Sequence, residues 1–174
     1  MYRNRLNARI LQADMAEFAI SGPVYNGAYC TVDTFRHLPT DRDAVNHLQS
    51  IARHLKNNGI YVLGLHLLPD KGVSRKIHRW QGNRGRLTVR SSITVLGINR
   101  DDREETLCYQ LRTNEKKYSS VYKLRTYTSR QFMELLEKAG CFIIMSIYDL
   151  NYDMNKTILI NGKSEDIVCI LRKV

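Results

Sequence analysis

Apolar residues recur at helical spacing at Val45, Leu48, Ala52 and Leu55, then crowd into an unbroken apolar run over residues 60–65. The pattern predicts an amphipathic helix followed without a loop by a buried strand. Thr40 and Asp43 suit a capping box, and Asn57-Asn58-Gly59 a left-handed stop. Because the run does not alternate with polar residues, it reads as a central parallel strand covered on both faces. The unit repeats downstream. Thr128 and Gln131 suit a second capping box, Phe132, Leu135, Leu136 and Ala139 form the stripe, Gly140 stops it, and a strand over 141–147 follows.

Between the two units the period changes. Leu87, Val89, Ile93 and Val95 fall on one face and Thr88, Arg90, Ser92 and Thr94 on the other, the mark of a half-buried antiparallel strand. Polar turns at 99–103 and 113–117 set off two further arms, 105–112 and 119–127, predicting a three-stranded meander within an insert over 71–127. Short strands are predicted at 8–12 and 28–32, and a last one at 166–171, antiparallel to 141–147 through a hairpin over 151–164. The expected fold is α/β: one domain over 1–174, its sheet flanked by helices on both faces, with the meander as an insert.

Composition narrows the class. With 43% hydrophobic and 25% charged residues the chain is an ordinary globular sequence. No apolar run reaches the roughly 20 residues of a membrane helix, and no signal-peptide core follows the basic start, so the expected location is the cytoplasm. Cys30, Cys108, Cys141 and Cys169 are scattered without a C-x-x-C pair and read as buried free thiols. The 27 Lys and Arg against 17 Asp and Glu give a net charge of +10, much of it between residues 75 and 125. A basic face there could attract RNA or another polyanion, or be solvated charge.

Polar groups gather at predicted strand carboxyl ends: Asp14, the segment from Asp33 to His37, His66, and the stretch from Tyr148 to Asp153 that contains Tyr152. Such ends lie along one edge of a doubly wound sheet, where ligands bind. Each residue also has a structural alternative: Asp14 as the cap of a turn, His37 as a loop histidine, His66 as a satisfied core group. No metal site is expected. His47 and His54 lie seven apart without a His-Glu-x-x-His pattern, and no nucleophile elbow is present.

The strings ILQADMAEF, CTVDTFRHL, NNGIYVLGLHL and RTYTSRQFMELLEKAG, with the basic insert RWQGNRGRLTVRSSITVLGINR, together resemble class I S-adenosylmethionine-dependent methyltransferases along nearly the whole chain. The resemblance implies methyl transfer from S-adenosylmethionine to a small-molecule acceptor. It places Asp14 at the adenine amino group, Met15 against the ring, and Thr31, Val32, Asp33, Thr34 and Phe35 beneath the methionine part. Arg36, His37, His66, Tyr148 and Tyr152 would lie toward the acceptor, with His37, His66 or Tyr148 as a base where the acceptor carries a proton.

The family's first two strands, its glycine-rich turn and its ribose-binding acid would precede Ile10, and no Gly-x-Gly occurs in the sequence. A buried strand of five apolar side chains contributes on the order of 7 to 15 kcal/mol, comparable to the net stability of about 5 to 15 kcal/mol for a whole domain. The expectation is therefore a cofactor half-site, in a truncated domain or one that completes its sheet through another chain, for example in a swapped homodimer. The alternatives are a noncatalytic basic module for RNA or another polyanion, and a degenerate partner subunit of an intact methyltransferase.

Overall fold

The computed structural model describes residues 8–22, 24–72, 77–151 and 153–174. Strand β1 (Tyr25–Cys30) leads through a 3-10 turn (Thr34–His37) into helix α1 (Asp41–His54) and strand β2 (Leu55–His66), which pairs parallel to β1. Helix α1 ends at His54 with Leu55 already extended, ahead of the predicted left-handed stop, and Asn58, at φ 61°, falls within β2 instead. Gly59 follows because a Cβ there would sit 2.8 Å from the Lys56 carbonyl oxygen. The register between β1 and β2 slips at this point, so the continuous pairing begins at Gly27 and Ile60.

Four antiparallel strands follow: β3 (Ile77–Arg84), β4 (Leu87–Asn99), β5 (Glu104–Arg112) and β6 (Lys117–Arg125). The insert thus has one strand more than its pattern predicts. β3 is exposed along its whole length, so no buried face marks it in the sequence, and it is held by the tight turn at Gly85-Arg86 to β4. Helix α2 (Ser129–Ala139) then begins at the predicted capping box and ends at Gly140, at φ 64°. Strands β7 (Phe142–Tyr148) and β8 (Asp166–Lys173) form the predicted antiparallel pair and complete a sheet of order β1-β2-β8-β7.

One core organises this sheet. Tyr61, Leu63 and Leu65 of β2 and Ile167, Cys169 and Leu171 of β8 are buried with Leu48 and Ala52 of α1 and with Phe132, Leu135 and Leu136 of α2. Both helices therefore pack on the same face. Val62, Val168 and Ile170, on the other face, are half-buried and line an open cavity. Among the described residues the β2 run is covered on one face, and burial alternates along it where the apolar sequence does not. Of the four cysteines, Cys169 is buried and Cys30, Cys108 and Cys141 are half-buried.

The strand expected at 8–12 does not form: residues 8–14 are exposed and irregular. The chain instead runs along α1 and is held there by two histidines. His47 donates from Nδ1 to the Met15 carbonyl at 2.7 Å, leaving Nε2 to accept the Tyr61 hydroxyl at 2.9 Å. His54 Nε2 accepts the Ile20 N–H at 2.8 Å while Nδ1 meets the Ser50 carbonyl. Burial holds the His47 imidazole below its usual pKa, against the opposing pull of the Met15 carbonyl.

The meander is attached to the sheet by charge. Asp41, at the start of α1, takes Arg103 at 2.7 Å and Arg125 at 3.0 Å. Burial alone would raise its carboxyl, but these two guanidinium groups outweigh that and hold it below the usual range. Both arginines also lie over the Tyr127 ring, at 5.0 and 5.9 Å. Burial pushes the Tyr127 phenol up to about 12.

Candidate functional site

The turn leaving β1 holds two of the left-handed non-glycine residues found among the described residues. Val32 and Asp33 are successive residues at φ 57° and 61°, a conformation that costs on the order of 1–3 kcal/mol at a non-glycine residue and persists only where the surroundings impose it. Here the Asp33 side chain imposes it. Its Oδ1 accepts the His66 backbone N–H at 2.6 Å and its Oδ2 accepts Arg36 Nη1 at 3.3 Å, tying the turn to the end of β2. Arg36 continues the tie into the meander, donating from Nε to the Arg125 carbonyl at 2.9 Å and from Nη2 to Glu105.

Two cavities meet at this turn. One, of about 520 Å3, lies against the open face of the sheet, walled by Val62, Val168 and Ile170 and edged by Thr31, Val32, Asp33 and Tyr148. Its ionisable lining is Asp33, His66, Tyr148, Asp149 and Asp166, with no lysine or arginine among the described lining residues. The other, of about 410 Å3, lies between the turn and the meander, where Arg36 and His37 face Trp80, Glu105 and Tyr122. Val32, Asp33, His66, Leu150 and Asp166 line both.

The register of the sheet explains why His66 and Asp166 meet. They are directly paired across β2 and β8, and His66 Nδ1 lies 2.7 Å from Asp166 Oδ1. An imidazole held this way donates from Nδ1 and leaves Nε2 as an acceptor. His37 is exposed and stacks on Tyr122, with ring centroids 6.1 Å apart.

The expected site residues thus divide. Thr31, Val32, Asp33, His66 and Tyr148 are brought to one cavity, and Arg36 and His37 to the other, with Val32, Asp33 and His66 shared. Phe35 points away from both: it is fully buried, 5.5 Å from the His47 ring and 5.9 Å from Tyr127. Thr34 turns its hydroxyl back to the Thr31 carbonyl. Asp14 accepts the Ala16 N–H at 2.7 Å, as a turn cap does, and Met15 packs on the core beside α1. Neither lines the two cavities. Tyr152 lies outside the described residues. Asp166, Glu105, Trp80 and Tyr122 were not singled out by sequence reasoning. Only the strand register, which a hairpin of uncertain length concealed, connects Asp166 to His66.

Group for group, the larger cavity suits S-adenosylmethionine on one side. Its carboxylates match a ligand carrying sulfonium and ammonium charge, and its aliphatic wall matches the methylene chain between them.

No family model matches the sequence, and no curated protein does. The fold has clear likenesses. A S-adenosylmethionine-dependent methyltransferase from Clostridium acetobutylicum aligns with a TM-score of 0.70 at 15% identity, over 96% of this chain and 65% of its own. An amino pentose methyltransferase from Micromonospora echinaspora, solved with S-adenosylmethionine bound, gives 0.65 at 14% identity, over 90% and 62%. A sugar N-methyltransferase from Streptoalloteichus gives 0.62 at 17% identity, over 91% and 60%. The chain spans less than two thirds of the length of each of these proteins. Two sheets and two helices in this order give the chain the Rossmann-like fold of class I S-adenosylmethionine-dependent methyltransferases, with an antiparallel β insert.

Proposed function

We infer that the chain takes part in methyl transfer from S-adenosylmethionine to a small-molecule acceptor. The observation that carries this is the junction of two cavities at one turn: a carboxylate-edged cavity and an aromatic-walled cleft that share Val32, Asp33, His66, Leu150 and Asp166. S-adenosylmethionine supplies an electrophilic methyl group on sulfur. Thr31, Val32 and Asp33 support its methionine part, Tyr148 edges the same cavity, and Arg36 holds the turn against the meander. Asp14 and Met15 stand on the adenine side in the family reading. Transfer then depends mainly on aligning donor and acceptor, which this rigid turn is suited to do. Part of the cofactor contact, above all the glycine-rich turn, comes from outside this sequence, from a further segment or another chain.

Calorimetric titration with S-adenosylhomocysteine tests the reading, with the chain alone and with a glycine-loop segment supplied in trans. Saturable heat that strengthens with the segment is expected. No heat in either arm overturns it. A second reading rests on the outer face of the meander, where Arg79, Arg90, Arg112 and Lys117 edge a shallow groove. That face suits a polyanion, and such binding weakens steeply as salt rises.

A further inference from the structure

The geometry points to His66 as the proton acceptor for the methyl acceptor group, with Asp166 as the residue that positions it. This deepens, and rests on, the methyl-transfer reading. Of the three candidate bases, only His66 lines both cavities. Tyr148 lines the larger alone and His37 the smaller alone. His66 is also the one held at three points: its backbone N–H by Asp33 at 2.6 Å, its Nδ1 by Asp166 at 2.7 Å, and its backbone by pairing with β8. Nε2, the remaining nitrogen, has no hydrogen-bond partner among the described residues. His37 stacks on Tyr122 and makes no hydrogen bond among the described residues.

A histidine whose Nδ1–H is committed to a carboxylate presents the lone pair of Nε2, and the carboxylate stabilises the cation that forms when Nε2 takes a proton. Among the described residues the ionisable groups that share a cavity with the pair are Asp33, Arg36 and His37 of the turn after β1, Asp149 and Tyr148 at the end of β7, and His78, Glu105 and Tyr122 of the meander. Arg36 is itself held by Asp33 and Glu105, so it does not compete for the imidazole. The balance is simple. The acceptor's lone pair forms the new bond to carbon, the carbon–sulfur bond breaks with its electron pair left on sulfur, and the acceptor's N–H or O–H proton ends on His66 Nε2, from which water removes it. Asp166 moves no proton.

Imidazole nitrogen NMR on the full chain at alkaline pH reads the tautomer directly. His66 is expected as the Nδ1–H form, shifting toward the Nε2–H form in Asp166→Ala and returning in Asp166→Glu. Carbethoxylation of His66 by diethyl pyrocarbonate is expected to slow severalfold in Asp166→Ala, with His37 and His78 unchanged as internal references. The Asp166 carboxylate is 39% exposed at the first residue of β8, so its loss leaves the strand pairing in place, and an unchanged unfolding midpoint verifies this. An Nε2–H tautomer in the unsubstituted chain, or no change of either readout in Asp166→Ala, overturns the proposal. If S-adenosylhomocysteine heat is present while the tautomer does not respond, the pair is discarded and the methyl-transfer reading stands. If the tautomer responds but no heat is found, the pair stands as geometry and the proton-acceptor role falls with methyl transfer.

Discussion

Replacing Arg36 by methionine is expected to lower the unfolding free energy by about 3–5 kcal/mol, the cost of removing one partner from a buried ion pair. Arg36 is 2% exposed and Glu105 5%, so the carboxylate left behind has no water to turn to. Two further bonds go with the guanidinium, to the Arg125 carbonyl and to Asp33. The same side chain therefore joins the turn after β1, the end of β6 and the start of β5. Arg36→Met combined with Glu105→Met is expected to recover much of the loss, because what is costly is the uncompensated charge rather than the missing attraction. Urea unfolding of the single and double variants measures both. A single-variant loss below about 1 kcal/mol, the scale of an exposed pair, would show that water reaches Glu105.

Phe35→Ala is expected to cost about 3–5 kcal/mol, as deletions of fully buried aromatic side chains do. Its ring sits edge-on to His47 and tilted against Tyr127, so it anchors the 3-10 turn to α1 on one side and to the end of the meander on the other. The loss should have a second consequence. Without the anchor the turn is held by the Asp33 side chain but loosened from the core, and affinity for S-adenosylhomocysteine should fall even at temperatures where the variant is folded. Phe132→Ala is the control: the side chain is equally buried, but on α2. It should destabilise comparably and leave the affinity of the folded protein unchanged. Equal loss of affinity in both variants would separate the turn from the ligand.

What the sequence made legible follows from where local signals were strong. The capping boxes, the Gly140 stop and the alternation along β4 each predict their element because a short stretch determines them. β3 was hidden because IHRWQGNR has no continuous apolar face to reveal it: it is a strand through its pairing with β4. The residues near Ile10 read as a strand because they are apolar. Without a neighbouring strand to pair with, they lie exposed instead, with Ile10 94% accessible. At the site, the turn from Thr31 to Arg36 and His66 stood out as polar residues at strand ends. The partners that define their chemistry did not. Asp166 is 100 residues from His66 and Glu105 is 69 from Arg36, and only the folded registers join them. Arg36 also changes meaning: a charge expected to face the acceptor is spent on holding the turn.

The central claim is that ligand binds across the turn after β1, and amide chemical-shift mapping of the full chain with S-adenosylhomocysteine tests it most directly. The account predicts shifts concentrated at Thr31, Val32 and Asp33, at Gly64 and His66 on β2, and at Tyr148. Shifts absent from these amides, or confined to Arg79, Arg90 and Arg112 on the outer face of the meander, would contradict it.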